Sequence, residues 1–162
     1  MTIKHLLFVC LGNICRSPSA EAVMKFKLEK EGLGNLIHCD SAGIIGFHAG
    51  APAEPRMKRH ALLRGYQLTS ISRQVKRDHD FDYFDMIIGM DDQNITDLNT
   101  VARSAADRKK IFRMTDFCEK FNYDTVPDPY YGGDAGFELV LDLLEDACDG
   151  LIRHLKGKEL GA

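Results

Sequence analysis

The segment Phe8–Glu21, FVCLGNICRSPSAE, joins an apolar strand, a glycine-containing turn and the start of a helix. The run from Lys4 to Cys10 is mostly apolar, which is typical of a strand buried on both faces. After the turn, four apolar residues recur at helical spacing: Ala20, Val23, Met24 and Leu28. The order strand, loop, helix is the opening unit of a sheet built from parallel strands.

Predicted strands and helices alternate along the rest of the chain. In chain order they are a strand over 36–40, a helix over 55–64 that stops at Gly65, a strand over 85–90, a helix begun by Asp91 or Asp92, a strand over 110–114 and a long last helix. The last helix carries one apolar stripe, formed by Phe137, Val140, Leu141, Leu144, Cys148, Leu151 and Leu155. The alternation predicts an α/β fold with a parallel sheet and helices on both faces.

Composition limits the possible functions. A chain of 162 residues with 44% hydrophobic residues is long enough for one domain, and a net charge of −3 gives no electrostatic reason to bind nucleic acid or an anionic membrane. No apolar run approaches the ~20 residues of a membrane span, so we expect a soluble cytoplasmic protein. The five cysteines are scattered, without metal-ligand spacing, which favours reduced thiols over disulfides or structural zinc.

The charge-rich stretch 73–82, RQVKRDHDFD, is predicted to be a solvated loop because its charges are of mixed sign. We expect His60 and His79 to be equally unremarkable surface residues. Cys39, Cys118 and Cys148 are assigned to packing. None of these residues enters the predicted site.

Three chemically interesting residues follow predicted strands. Cys10 ends the first strand, Asp91 follows the third, and Asp128 lies in a turn-rich segment after the fourth. In open α/β sheets, ligands bind outside the carboxyl ends of the strands. The sequence therefore predicts a site at that edge of the sheet.

The loop from Cys10 to Arg16 has the composition of an oxyanion cradle. Gly12 and Asn13 both accept left-handed backbone angles, so successive amide groups can turn inward. Ser17 is a candidate cap for the following helix, with Pro18 in its first turn, and the helix dipole adds positive potential. Arg16 supplies a planar fork for two phosphate oxygens. The same features stabilise a thiolate, which makes Cys10 a candidate nucleophile.

Two further observations narrow the chemistry. A nucleotide-binding loop of the Gly-x4-Gly-Lys-Ser type would need a lysine and a second glycine that this loop lacks, so ATP binding is not predicted. The segment DPYY, residues 128–131, offers a carboxyl group on a proline-stiffened loop beside two tyrosines. Asp128 is therefore a candidate proton donor for a leaving oxygen.

Together, VCLGNICRSPSAE and DPYY resemble the low-molecular-weight protein tyrosine phosphatase family over essentially the whole chain. The resemblance implies that Cys10 is the nucleophile, Arg16 the phosphate clamp and Asp128 the general acid. It also implies a substrate-binding loop and rim, formed by Leu11, Gly12, Asn13, Ile14, Cys15, Ser17, Phe47, Tyr130 and Tyr131. The resemblance implies that Asn13 and Ser17 shape the loop and hydrogen-bond the thiolate. A supporting role falls to Ser41, expected to hold Asn13, and to Asp91 and Asn94 in the segment MDDQN.

The resemblance further implies a single domain over 1–162 with a four-stranded parallel sheet, a flavodoxin-like or Rossmann-like three-layer arrangement. It implies no metal and no organic cofactor. The expected partners are phosphotyrosine-containing proteins or small aryl phosphates, and the expected state is a monomer. One departure is visible. Many relatives carry a histidine shortly before the pair matching Arg73-Gln74, where this chain has Ser70 and Ser72.

Three alternatives share the scaffold. An arsenate reductase would need further redox cysteines, and the segment 62–116 contains none. A phosphoarginine phosphatase would resemble relatives that carry threonine at the position of Ile14. A silent phosphotyrosine-binding module would not need Cys10, Arg16 and Asp128 together. Cys15 also lies five residues after Cys10, which suggests a reversible disulfide between them under peroxide.

Overall fold

A computed structural model describes residues 4–130 and 132–158, without the side chain of Lys158. Four parallel strands form its sheet: β1 (Lys4–Cys10), β2 (Ile37–Gly43), β3 (Met86–Gly89) and β4 (Ile111–Arg113), in the order β2-β1-β3-β4. The predicted fold class, a single α/β domain with a four-stranded parallel sheet, is confirmed. Cys10 pairs with Gly43 at the carboxyl edge, where the candidate residues were expected.

Six α-helices and one short 3₁₀ helix surround the sheet within the described residues. They are α1 (Arg16–Lys30), α2 (Pro55–Leu63), α3 (Arg77–Tyr83), α4 (Asp92–Val101), α5 (Ala105–Arg108), the 3₁₀ helix Met114–Phe117 and α6 (Gly133–Lys158). Side chains of β1 alternate between two apolar clusters. Leu6 and Phe8 join the cluster that includes α1, α2 and α6, and Leu7 and Val9 join the cluster that includes α3 and α4. β1 is therefore buried on both faces, as its sequence predicts.

Most predicted elements lie within a few residues of their observed bounds, and β2 differs most. The prediction ends β2 at residue 40, whereas the strand continues to Gly43. Its last residues are polar or small, which resembles a loop in the sequence. Ser41 is nevertheless buried, and its hydroxyl donates to Glu21 Oε1 at 2.7 Å. A polar partner on α1 thus lets the strand extend.

The prediction of a solvated loop over 73–82 was right about the exposure of most of the stretch, but wrong about its secondary structure and about Asp80 and Phe81, which are buried. α3 begins within this stretch, and Phe81 anchors it in the core. Asp80 is fully buried and accepts hydrogen bonds from the Arg73 guanidinium and the Lys76 backbone N–H. The buried Asp80 carboxylate is stabilised because it pairs with the Arg73 guanidinium.

His60 is also not a solvated surface residue. It is 9% exposed, and its two ring nitrogens face Glu138 Oε2 at 2.5 Å and Asp134 Oδ1 at 3.1 Å. The ring stacks on Phe137, so His60 fastens α2 to the start of α6. No helix among residues 4–130 and 132–158 is long and apolar enough to cross a bilayer.

Candidate active site

Cys10 lies at the end of β1, and the loop 11–15 curls around it before α1 begins. Its Sγ is 3.0 Å from Ser17 Oγ, and the residue is only 3% exposed. Ser17 is not the helix cap that the sequence suggested, because α1 begins at Arg16 with Cys15 as its N-cap residue. The hydroxyl instead lies beside the sulfur, with Ala42 O as a more distant acceptor at 3.4 Å. Ser17 Oγ–H can thus donate to a Cys10 thiolate.

Asn13 fixes the curvature of the loop. Its φ of 57° is in the left-handed region, which asparagine tolerates better than most residues. Its side-chain amide donates to Ser17 Oγ at 2.8 Å, and its Oδ1 accepts from the Arg73 backbone N–H at 3.1 Å. The expectation that Ser41 holds Asn13 was wrong, since the Ser41 hydroxyl is committed to Glu21.

Four carbonyls of the loop point outward, each held by a neighbouring segment. The Cys10 and Leu11 carbonyls accept from backbone N–H groups of Ile44 and Ile45, both at 3.0 Å. Gly12 O accepts from Ser72 Oγ at 3.0 Å, and Ile14 O accepts from the Glu54 N–H at 2.8 Å. In a trans peptide, the C=O and the following N–H point in opposite directions. The amides of these peptides are therefore aimed at the interior of the loop, where an oxyanion would lie.

Arg16 lies at the floor of the pocket with its guanidinium already positioned. Nη1 donates to Asp91 Oδ2 at 2.6 Å and to Val126 O at 3.0 Å, and the residue is 3% exposed. Nη2 is 3.8 Å from Asp128 Oδ2, so the Cys10 loop and the Asp128 loop meet at this arginine. Such a buried, pre-oriented fork can bind two oxygens of one tetrahedral anion.

Asp91 and Asn94 support this edge of the sheet as neighbours along the chain. Asp91 Oδ1 accepts from the Asn94 N–H and caps α4, while its other oxygen binds Arg16. Asn94 is 1% exposed and accepts from the Met90 N–H, which holds the turn after β3. The two side chains thus link the end of β3 to the guanidinium.

The pocket above Cys10 is open and mixed in polarity. Its lining consists of Cys10, Leu11, Gly12, Ile14, Cys15, Arg16, Ile45, Phe47, His48, Asp128 and Tyr130. The loop after β2 gives the rim its most exposed aromatic ring, Phe47, at 83%. Sequence reasoning missed Ile45 and His48, whose only signal is their position between β2 and α2. Tyr131, also predicted at this rim, lies outside the described residues.

The thiols of Cys15 and Cys148 are buried. Burial, reinforced by the nearby Cys10, raises the pKa of Cys15 to about 12, so Cys15 remains a thiol at neutral pH. Burial also raises the pKa of Cys148, which is fully buried on α6 as its place in the apolar stripe predicts. Within the described part of the chain, no three His, Cys, Asp or Glu side chains are arranged to hold a metal ion.

Comparison with known proteins agrees with this geometry. Residues 5–160 match the family model of low molecular weight phosphotyrosine protein phosphatases. The low molecular weight protein-tyrosine-phosphatase YfkJ of Bacillus subtilis is 42% identical over 159 residues, covering 96% of this chain and 98% of the relative.

Solved structures give the same result. A protein tyrosine phosphatase from Entamoeba histolytica, crystallised with Hepes in its active site, superposes with a TM-score of 0.92 at 49% identity, covering 95% and 97% of the two chains. A Drosophila arginine phosphatase superposes with a TM-score of 0.87 at 28% identity, covering 95% and 99%. The chain belongs to the low molecular weight phosphotyrosine protein phosphatase family.

Proposed function

We propose that this chain hydrolyses phosphotyrosine and related aryl phosphate monoesters in two steps through a cysteinyl-phosphate intermediate. The observation that carries the proposal is the convergence in one pocket of the buried Cys10 sulfur, the buried Arg16 guanidinium and the half-exposed Asp128 carboxyl group. A nucleophile, an oxyanion clamp and a proton donor are the three parts that phosphoryl transfer from an aryl ester needs.

In the first step, the Cys10 thiolate attacks phosphorus and the bond to the phenolic oxygen breaks. The loop amides and Arg16 hold the three equatorial oxygens, and Ser17 Oγ–H stabilises the thiolate before attack. Asp128 gives its proton to the departing oxygen, which leaves as a neutral phenol. In the second step, Asp128 removes a proton from water, the water oxygen attacks phosphorus, and the S–P bond breaks to release inorganic phosphate and the thiolate.

Two variants test these roles. Cys10→Ser should abolish turnover while inorganic phosphate still binds, since a hydroxyl of similar size stays protonated in the loop. Asp128→Asn should lower the rate by about 10²–10³-fold for phenyl phosphates with basic leaving groups, and by less for acidic ones. Cys10→Ser activity within about tenfold of wild type would contradict the nucleophile assignment. Equal losses across the leaving-group series would contradict the acid assignment.

Phosphotyrosine is the substrate class we infer, with phosphoarginine as the alternative on the same scaffold. Ile14 lines the pocket with an apolar side chain and offers no hydroxyl to orient a guanidinium or a water. Phe47 and Tyr130 line the same opening, which suits an aryl group. An arsenate reductase is not favoured, since the relay cysteines it needs are missing from residues 62–116. Turnover of phosphotyrosine, phosphoserine and phosphoarginine peptides separates the classes, and turnover of none of them would favour the silent binding module.

We further infer that residues 1–162 act as one phosphatase domain, as a cytoplasmic monomer that binds neither nucleic acid nor membranes. The net charge of −3 supports the lack of affinity for polyanions. Size-exclusion chromatography with light scattering tests the monomer.

Redox control by a disulfide between Cys10 and Cys15 also remains a proposal. Peroxide would oxidise the Cys10 thiolate to a sulfenic acid with release of hydroxide, and the Cys15 thiol would displace water to form the S–S bond. Because burial keeps Cys15 protonated, we expect this second step to be slow. Mass mapping of the oxidised protein decides, since a Cys10 sulfinic acid with free Cys15 would refute the switch.

A further inference from the structure

The segment before α2 is hydrogen-bonded to the phosphate-binding loop, residues 10–16. The Glu54 backbone N–H donates to Ile14 O at 2.8 Å, and the Glu54 carboxylate caps α2 by accepting from the N–H groups of Arg56 and Met57. Glu54 is thus fixed at both its backbone and its side chain. Any group bonded to its carboxylate is held at a set distance from the loop.

Arg56 is that group, and it reaches toward the Asp128 loop. Its Nε donates to Glu54 Oε1 at 3.0 Å, and its Nη2 donates to Tyr130 O at 3.0 Å. The guanidinium also lies over the Phe137 ring, with 5.0 Å to the centroid, and 5.7 Å from the centroid of Tyr130. Phe137 is fully buried at the start of α6, so the guanidinium rests on a rigid surface.

Tyr130 in turn orients the carboxyl group of Asp128. The Tyr130 N–H donates to Asp128 Oδ1 at 3.0 Å, two residues along the chain. Oδ1 is thereby occupied as an acceptor, which leaves Oδ2 to carry the proton when the group is neutral. Oδ2 is the oxygen 3.8 Å from Arg16 Nη2, so it faces the floor of the pocket.

We propose that Arg56 is a positioning residue for the general acid, because it connects the Glu54 carboxylate, and through it the phosphate-binding loop, to Tyr130, the residue whose backbone N–H holds Asp128. The inference rests on the proposed role of Asp128 as proton donor. Arg56 does not line the pocket, and it acts on the reaction only by fixing where Oδ2 lies when the leaving oxygen accepts its proton. Proton transfer in a transition state is sensitive to such placement.

The test is a double-mutant cycle with Asp128→Asn, read as kcat/KM on two substrates. The leaving oxygen of phenyl phosphate is strongly basic, so its departure depends on protonation by the acid. The leaving oxygen of 4-nitrophenyl phosphate is less basic, so its departure depends on the acid less. We expect Arg56→Met to lower kcat/KM about tenfold for phenyl phosphate and by no more than about threefold for 4-nitrophenyl phosphate. In the Asp128→Asn background, the same change should cost no more than about twofold, because no proton remains to be placed.

Two further variants complete the design. Arg59→Met is the matched control, because it removes an exposed arginine from the same helix. It should leave kcat/KM unchanged for both substrates. Arg56→Gln keeps a hydrogen-bond donor and much of the aliphatic part of the side chain. It replaces Arg56→Met in the cycle if the methionine variant is unfolded at the assay temperature. Competitive inhibition by inorganic phosphate should stay at the wild-type value in every Arg56 variant.

The outcomes distinguish this inference from the function on which it rests. A loss that is equal for both substrates, or equal in both backgrounds, means that Arg56 does not act through Asp128. A loss of phosphate affinity in the Arg56 variants means that the phosphate-binding loop itself has moved, which also overturns the inference. If Asp128→Asn alone shows no dependence on the leaving group, the proposed general acid fails instead.

Discussion

Asp91→Asn tests whether an ion pair holds the Arg16 guanidinium at the floor of the pocket. The change preserves the size of the side chain and keeps an oxygen that can accept from the Asn94 N–H, so α4 retains its cap. What it removes is a negative charge 2.6 Å from Nη1. The remaining partners of Arg16 are Val126 O and the more distant Asp128.

The expected cost follows from the burial of the pair. Two unit charges at the observed separation attract by about 6 kcal/mol at an effective dielectric constant of ~20, before desolvation is subtracted. Removing one partner of a buried ion pair costs about 3–5 kcal/mol. Asp91 is 25% exposed, and the Val126 carbonyl remains as an acceptor. We therefore expect the free energy of unfolding to fall by about 2–3 kcal/mol.

Urea unfolding and steady-state kinetics measure the two consequences. Saturating inorganic phosphate should recover part of the lost stability, because its oxygens give the buried cation a new partner. We expect kcat/KM to fall by about 10–100-fold, since the fork is no longer held where two phosphate oxygens arrive. Asp92→Asn makes the same charge change at a 77% exposed side chain paired with Arg113 and serves as the control. If Asp91→Asn matches that control in both measurements, the ion pair does not position Arg16.

Three further predictions follow from other contacts of the fold. Ser72→Ala leaves Gly12 O without its donor and should lower kcat/KM about tenfold and weaken inhibition by inorganic phosphate in parallel. Ser72→Thr keeps a hydroxyl and should restore both values; if Ser72→Ala leaves phosphate inhibition unchanged, the hydroxyl does not orient the loop. Burial alone would raise the pKa of Asp80, but hydrogen bonds led by the one from Arg73 outweigh it and hold that pKa below its usual range. Its contribution to stability is therefore present above the unfolded pKa of about 3.9 and is lost as pH falls through the lower folded value, so the stability gap to Asp80→Asn in urea unfolding should narrow below about pH 4. Phosphotyrosine peptides should be preferred over phosphoarginine peptides at least about tenfold in kcat/KM, and Ile14→Thr should narrow that ratio; equal wild-type rates would contradict the assignment to tyrosine.

Sequence was most informative where the chemistry is local. The loop from Cys10 to Arg16 places sulfur, amides and guanidinium within seven consecutive residues, so its composition alone indicates an oxyanion cradle. Asp128 was identified through the DPYY motif, but its position 3.8 Å from Arg16 Nη2 follows only from the tertiary fold. Ser41 was assigned the wrong partner because two buried polar groups, Glu21 and Asn13, compete for such roles and only the fold decides between them.

Polar contacts that depend on the tertiary fold were not predictable. Asp80 looked solvated because its charge is visible in the sequence while its partners are not. Arg73 lies seven residues before Asp80, and the burial of that pair depends on Phe81 entering the core beside it. Arg56 carried no signal at all, since its meaning depends on a carbonyl 74 residues away. Long-range polar pairing is the part of a fold that spacing and periodicity do not encode.

The outward-facing carbonyls explain how an acidic protein can bind a dianion. With a net charge of −3, the chain has no general attraction for phosphate, so the affinity must come from the site itself. Three of the four outward bonds come from backbone N–H groups, and the fourth comes from the Ser72 hydroxyl. These bonds fix the peptide planes before any ligand arrives, so the inward amides need no reorganisation when charge develops on the transferred phosphoryl group. The fold therefore stabilises the anion with oriented dipoles and one buried cation, and the surface is left free to remain acidic.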